Sequence, residues 1–224
     1  MKKSVRMISL ILFAVIFLSM SIFLGIKQRG NSDGQYDGKT VSSEVSRQAT
    51  VEDGSTKPTK ILIVYFSLTG NTNQVANMIK DFTKGEVFEI EPDFDYSKVQ
   101  SRTEMENLGK EQVKEGFQPA LKNSVTDIDT YDLIIVGSPV WWFSVTPPVM
   151  SFLSQYDLAG KRVAPFCTCG SVAGDFFTQF EETIPDAEVQ KGLTLTEDEL
   201  KDEEEAQEKI RIWLEDLGCD LTHN

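Results

Sequence analysis

Between residues 60 and 217 the chain repeats one alternation. A short apolar run is followed by a polar or glycine-bearing turn, and then by apolar residues at helical spacing. The runs are Ile61–Phe66, Val87–Ile90, Leu133–Gly137, Val163–Thr168 and Val189–Leu195. A half-wet strand alternates apolar and polar residues; "ILIVYF" and "LIIVG" do not, so they predict strands buried on both faces. The segments between them predict helices. Val75, Ala76, Met78, Ile79 and Phe82 share one face of the first, and a polar, charged stretch runs from Ser97 to Gly116. Pro147 and Pro148 suit the first turn of a helix through Leu153. Asp175 to Ile184 is a fourth helix, and a capping box of Thr196 and Glu199 opens the last, which reaches Leu217 and stops at Gly218. Short strands alternating with helices predict an α/β fold, a doubly wound five-stranded parallel sheet covered on both faces.

Ligands of such sheets bind outside the carboxyl ends of the strands, where the strand order reverses. The loops after the first, third and fourth strands are "SLTGNT", "SPVWWFSVTPP" and "CTCGSVAGD". The first joins a strand end to a helix start, where unpaired N–H groups and the helix dipole favour an anion. Ser67, Thr69 and Thr72 add hydroxyls, Gly70 permits a turn at positive φ, and Asn71 tolerates that region. The reading is a phosphate cradle made of neutral donors; the plainer alternative is an N-cap by Thr72 after a turn at Gly70. The lysine-bearing loop G-x-x-x-x-G-K-[ST] and the G-x-G-x-x-G fingerprint are both absent.

At these residues "YFSLTGNT" resembles the phosphate-loop signature of flavodoxins. "YDLIIVGSPVWW" and "AGKRVAPFCTCGS" are similar to the third and fourth strands, with their loops, of bacterial short-chain members. "FQPALKNSVTDIDTYD" fits the same subgroup, with Gln118 where arginine is commoner. The resemblance covers Lys60 to about Gly218 and implies the strand order 2-1-3-4-5, with FMN bound at the edge. It implies that Ser67, Thr69, Gly70, Asn71 and Thr72 hold the phosphate. It implies that Pro139, Val140, Trp141, Trp142 and Phe143 run beside the isoalloxazine ring, and that Thr168, Cys169, Gly170 and Ser171 form the third contact loop. Aromatic faces suit a flat apolar ring; core packing is the alternative for Trp141 and Trp142. Cys169 departs from the relatives, where serine is commoner. Cys167 continues the apolar strand and reads as a small hydrophobe.

Residues 1–26 end in the uncharged run "MISLILFAVIFLSMSIFLGI", Met7 to Ile26. A helix of that length spans about 30 Å, the hydrocarbon thickness. The apolar core of a cleaved signal peptide is usually ~7–15 residues, and no A-x-A-like site follows this run. The expectation is a membrane anchor, with a signal segment as the alternative. Lys2, Lys3 and Arg6 before the run nearly balance Lys27, Arg29 and Lys39 after it. The very short amino-terminal tail tips the reading toward a globular domain outside the membrane. Residues 27–59, polar with Gly30, Gly34, Gly38, Gly54 and Pro58, read as a flexible linker whose ends sit about 30 Å apart. Residues 60–224 then form the flavodoxin-like, FMN-binding domain.

The net charge of −13 argues against non-specific nucleic-acid binding. Three cysteines with a C-x-C pair, and one histidine, His223, give neither a disulfide framework nor a zinc spacing. No metal and no acid–base catalytic set is expected. The acidic stretch "EDELKDEEEAQEK" reads as the solvated face of a helix whose Ile210, Trp213, Leu214 and Leu217 face the core. Its alternative role is a dock for a basic redox partner. Three functions follow: a membrane-tethered FMN electron carrier serving a redox partner protein, an FMN-dependent reductase of quinones or nitro compounds, or a flavin-free binding module on the same fold.

Overall fold

The computed structural model describes residues 59–99 and 101–221. The apolar run 7–26 and the linker up to residue 58 lie outside the described residues, as does His223. Among the described residues, no helix is long and apolar enough to cross a membrane.

The first strand, β1 (Ile61–Tyr65), pairs in parallel with β2 (Glu86–Glu89) on one side and β3 (Leu133–Trp141) on the other. Next to β3 lies β5 (Arg162–Cys169), followed by the short β6 (Glu188–Val189) and β7 (Leu193–Thr196). Counting β6 and β7 as two halves of one strand, the order is the expected 2-1-3-4-5. Because successive side chains point to opposite faces, the apolar runs feed two cores at once. Ile61, Ile63, Tyr65, Leu133, Ile135, Ala164 and Phe166 pack under α1 (Asn71–Thr83) and α5 (Glu203–Asp216). Leu62, Val64, Phe66, Ile134, Val136, Val163 and Cys167 pack on the other face, under α2 (Arg102–Glu115), α3 (Pro147–Gln155) and α4 (Phe176–Thr183). Ile210, Trp213, Leu214 and Leu217 are buried as expected.

Three details differ from the sequence expectation. The fifth strand is broken: Val163 pairs with Val189 and Phe166 with Leu193, so two residues of β5 face three. Pro165 is the cause. The Val163 carbonyl accepts from Gln190 N at 2.8 Å, so Pro165, two residues on, faces the same side with no N–H to give. The chain bulges there, and the Lys191 carbonyl is taken instead by the Trp213 indole at 2.7 Å.

The second difference is at the loop expected after the third strand. Pro139, Val140 and Trp141 are not loop residues but the end of β3. Past the end of β1 the chain folds back, and Val140 and Trp141 pair antiparallel with Val145 and Ser144 of β4 (Ser144–Val145). Third, the Thr196–Glu199 box closes reciprocally, with Thr196 N donating to Glu199 Oε2 at 2.7 Å and Glu199 N to Thr196 Oγ1 at 3.2 Å. It opens a 3-10 turn, Glu199–Lys201, and Asp202 caps α5 separately through Glu205 N.

Candidate functional site

The chain leaves β1 at Tyr65 and enters α1 at Asn71 through Gly70, whose φ of 99° is open to glycine and strained for other residues. The Gly70 carbonyl accepts the first helical bond, from Gln74 N at 2.9 Å. Its N–H donates to Ser67 Oγ at 3.2 Å, which holds the loop in its turn. No side chain caps α1 and no acid lies in its first turn. The N–H groups of Asn71, Thr72 and Asn73, which have no intrahelical acceptor, keep their partial positive charge for an anion. The alternative reading, an N-cap by Thr72, is not what forms. Thr72 is buried, its hydroxyl 2.8 Å from that of Thr168, tying α1 to β5.

The hairpin after β3 turns on two residues, Trp142 and Phe143, at φ 48° and 63°. These are the positive φ values of a two-residue hairpin turn, a position that usually takes Asn-Gly. Neighbours hold the aromatic pair there. Val145 N donates to Gln179 Oε1 at 2.8 Å, and Asp175 N donates to the Phe143 carbonyl at 2.9 Å. A Cβ on Gly174 would sit 2.5 Å from Phe143 Cβ, so only glycine fits beneath that ring. The Lys110 ammonium lies 4.4 Å from the centre of the Trp142 ring. Trp142 and Phe143 remain 44% and 52% exposed, whereas Trp141 is 9% exposed and packs edge-on against Phe66 and Tyr96. Trp141 is thus both a core residue and a wall of the site; Trp142 is the exposed ring.

These elements converge on an open cavity of about 770 Å³, within the range of small-molecule sites. Thr69, Asn71, Pro139, Val140, Trp141, Trp142, Phe143, Thr168, Cys169, Gly170 and Ser171 all line it. Ser67, Gly70 and Thr72 do not; they shape the loop from behind. Burial pushes the Cys169 thiol up from its ordinary pKa, and burial pushes Cys167 up to about 12, so neither is a ready nucleophile. All three cysteines are free and buried. Among the described residues no group of His, Cys, Asp or Glu is placed to hold a metal.

One wall was missed by the sequence reading. The connection from β2 to α2 lines the cavity with Tyr96, Ser97, Val99, Ser101, Arg102, Met105 and Glu106. Tyr96 is buried and donates to Gln112 Oε1 at 3.1 Å; burial pushes its phenol up to about 12. Gly109 lets α2 settle on Trp141, with an added Cβ only 3.3 Å from that residue's Cβ. The one local signal was the pair of aromatics in "DFDYS", Phe94 and Tyr96, inside an otherwise polar stretch.

The flavodoxin family model matches residues 60–217. No curated protein matches the sequence. Among solved structures, the chain is similar to a candidate flavoprotein from Bacteroides eggerthii at 28% identity and TM-score 0.59, covering 72% of this chain and 99% of that one. A second, from Bacteroides uniformis, is 26% identical with TM-score 0.60, covering 71% and 99%. A Lactobacillus acidophilus flavoprotein, solved in complex with FMN, is 24% identical with TM-score 0.55, covering 64% and 97%; that likeness speaks for the fold. With the family match spanning nearly all of the described residues, the chain belongs to the flavodoxin family.

Proposed function

We propose that the protein binds FMN in this cavity and works as an electron-transfer flavoprotein. One observation carries the reading: the uncapped, acid-free start of α1 opens beside a cavity walled by aromatic rings. The N–H groups at Asn71–Asn73 suit a phosphate, and the Thr69 hydroxyl adds a donor on the lining side. No lysine or arginine is needed at that end: Lys60 precedes β1 and Lys80 lies in the last turn of α1. The Trp142 ring and the exposed face of Phe143 suit a flat heteroaromatic ring, and the end of β5 with Gly170 and Ser171 after it offers backbone groups to its polar edge. When bound, FMN supplies reversible uptake and release of electrons; the chain supplies the environment that sets how readily. Burial of Tyr96, Cys167 and Cys169 as neutral groups keeps those side chains from adding charge near the ring.

The binding test is direct. Full-length protein purified in mild detergent should be yellow and should bind FMN far more tightly than riboflavin, which lacks the phosphate. Equal affinity for the two would remove α1 from the site. The second reading, a reductase of small acceptors, is favoured by the wall from Tyr96 to Glu106, which the three flavin loops do not require. Steady oxidation of NAD(P)H by the pure protein with a quinone supports the reductase. Reduction only through a separate protein supports the carrier.

The apolar run 7–26 supports tethering to a membrane, with the domain outside. Protease digestion of intact cells and of opened vesicles reads the orientation, and release of the whole chain by salt washing would remove the anchor.

A further inference from the structure

We propose that the mouth of the cavity is a membrane-docking face, at which Leu68, Trp142, Phe143 and Val172 dip into the headgroup layer of the bilayer that the apolar run 7–26 enters. The proposal rests on the tethering reading. Six large apolar side chains are exposed among the described residues, and four of them, these four, line this cavity. They come from three separate turns: Leu68 from the loop between β1 and α1, Trp142 and Phe143 from the hairpin tip, and Val172 from the turn after β5. Exposed apolar residues scattered singly are ordinary; three turns converging on one rim mark a surface that something covers. FMN accounts for Trp142 and Phe143 but gives no task to Leu68 and Val172, which are 37% and 56% exposed.

A lipid surface fits this rim better than a protein of complementary charge. In a chain of net charge −13, the charged residues lining the cavity, among the described residues, are Arg102, Glu106 and Glu197, and the Lys110 ammonium stands 4.4 Å from the centre of the Trp142 ring. The mouth is therefore close to neutral. Acids gather instead in the first turn of α5, at Glu203, Glu204 and Glu205, on the other face of the sheet from α2. A basic partner is drawn to that side. An anionic bilayer repels it first, which turns the mouth toward the lipid. Tryptophan beside lysine is an interfacial pair: the ring sits at headgroup level and the ammonium reaches lipid phosphate. Four partly exposed side chains hold a bilayer only weakly, and the apolar run supplies the second attachment that stable binding needs. Reach allows it. The tether joins the domain at Thr59, before β1, and the mouth lies beyond the other end of β1, about 17 Å on. Residues 27–59 span about 30 Å as a coil, and about 110 Å at full extension.

The test uses full-length protein, with and without FMN, reconstituted into phosphatidylcholine vesicles whose acyl chains either carry bromine, a short-range quencher, or do not. The chain has three tryptophans; Trp141 and Trp213 are buried, so Trp142 is the one that lipid can touch. Brominated lipid should dim the FMN-free protein by about one quarter to one third, the share of one tryptophan in three. The bromine-dependent dimming should remain with FMN bound. Trp142→Phe should abolish it, because the rim stays aromatic and the reporter is gone. Leu68→Asp with Val172→Asp, at positions already exposed, should abolish it while the protein still sediments with the vesicles. Ile212→Asp, at an exposed apolar residue of α5, should leave it unchanged. Deleting residues 28–57 shortens the tether to about 10 Å, less than the length of β1, and should also abolish it. A wild type that sediments after a salt wash but is not dimmed overturns the docking face, leaves the tether standing and gives the rim to a protein partner. Dimming that survives the double aspartate variant or the deletion, or that Ile212→Asp also loses, overturns the docking face as well. Wild type washed from the vesicles by salt overturns the tether, and the docking face with it.

Discussion

Two double variants of the hairpin tip isolate the strain stored beside the cavity. Trp142→Asn with Phe143→Gly installs the residues that a turn with two positive φ values prefers. Trp142→Ala with Phe143→Ala removes the same rings but keeps non-glycine residues at φ 48° and 63°. Both lose the Lys110 contact and the contact between the two rings, 5.9 Å apart. Both also lose the burial of rings that are about half exposed. Those losses total roughly 3–4 kcal/mol and cancel between the two variants. What remains is the backbone. An L-residue in the left-handed region costs roughly 1–2 kcal/mol relative to glycine, and asparagine costs less than alanine. The Asn-Gly protein should therefore be more stable than the Ala-Ala protein by about 2 kcal/mol, and close to wild type within about 1–2 kcal/mol. Urea unfolding of the flavin-free proteins measures this. Flavin titration of the same samples should show FMN weakened by about 1–2 kcal/mol in both, since both lack the rings. Equal stability of the two variants would mean the turn carries no strain. Unchanged FMN affinity in both would mean the rings do not border the flavin.

Three further outcomes are expected. Thr72→Val or Thr168→Val alone strands a buried hydroxyl and should cost about 1–3 kcal/mol; the double variant should cost about 1 kcal/mol less than the sum, read by urea unfolding without FMN. Glu199 is held down to about 2 by the Lys209 ammonium and then by the Thr196 N–H. Its folded pKa is lowered, so its stabilisation is full above the ordinary carboxylate range and fades as pH falls toward 2. Glu199→Gln should lose about 1–3 kcal/mol at pH 7, after allowance for solvent screening, and flatten the stability curve from roughly pH 5 to pH 2; a parallel curve would exclude the carboxylate. Finally, a disulfide reagent at pH 8 should leave Cys167, Cys169 and Cys219 unmodified in the folded protein and titrate them on unfolding, because burial raises all three. Rapid labelling of Cys167 or Cys169 in the native protein would show the cavity side of β5 to be open.

The strands, the helices that cover them and the first loop were legible because their signals are local. An unbroken apolar run cannot have a wet face, so "ILIVYF" and "LIIVG" had to be central strands, and their odd and even residues do feed two separate cores. The turn at Gly70 follows from six consecutive residues, whereas the absence of a side-chain cap on α1 was decided by Thr72 turning to Thr168. Legibility failed where the outcome depends on what lies across a gap in sequence. Nothing in "VQKGLTL" announces a break; it is set by Pro165, more than twenty residues earlier, withholding a donor from the neighbouring strand. The aromatic pair at 142–143 is a poor turn sequence by itself, held by Gly174, Asp175 and Gln179 from another element. The wall from Tyr96 to Glu106 carries no motif at all. Its residues reach the cavity because Gly109 lets α2 settle on Trp141 and Gln112 takes up the Tyr96 hydroxyl. Periodicity and turn chemistry act between neighbours, so the sequence alone determined the order of elements and the glycine turn that joins β1 to α1. Register, the strained hairpin and the charged wall depend on donors, volumes and partners supplied from elsewhere in the chain, and only the tertiary structure decided them.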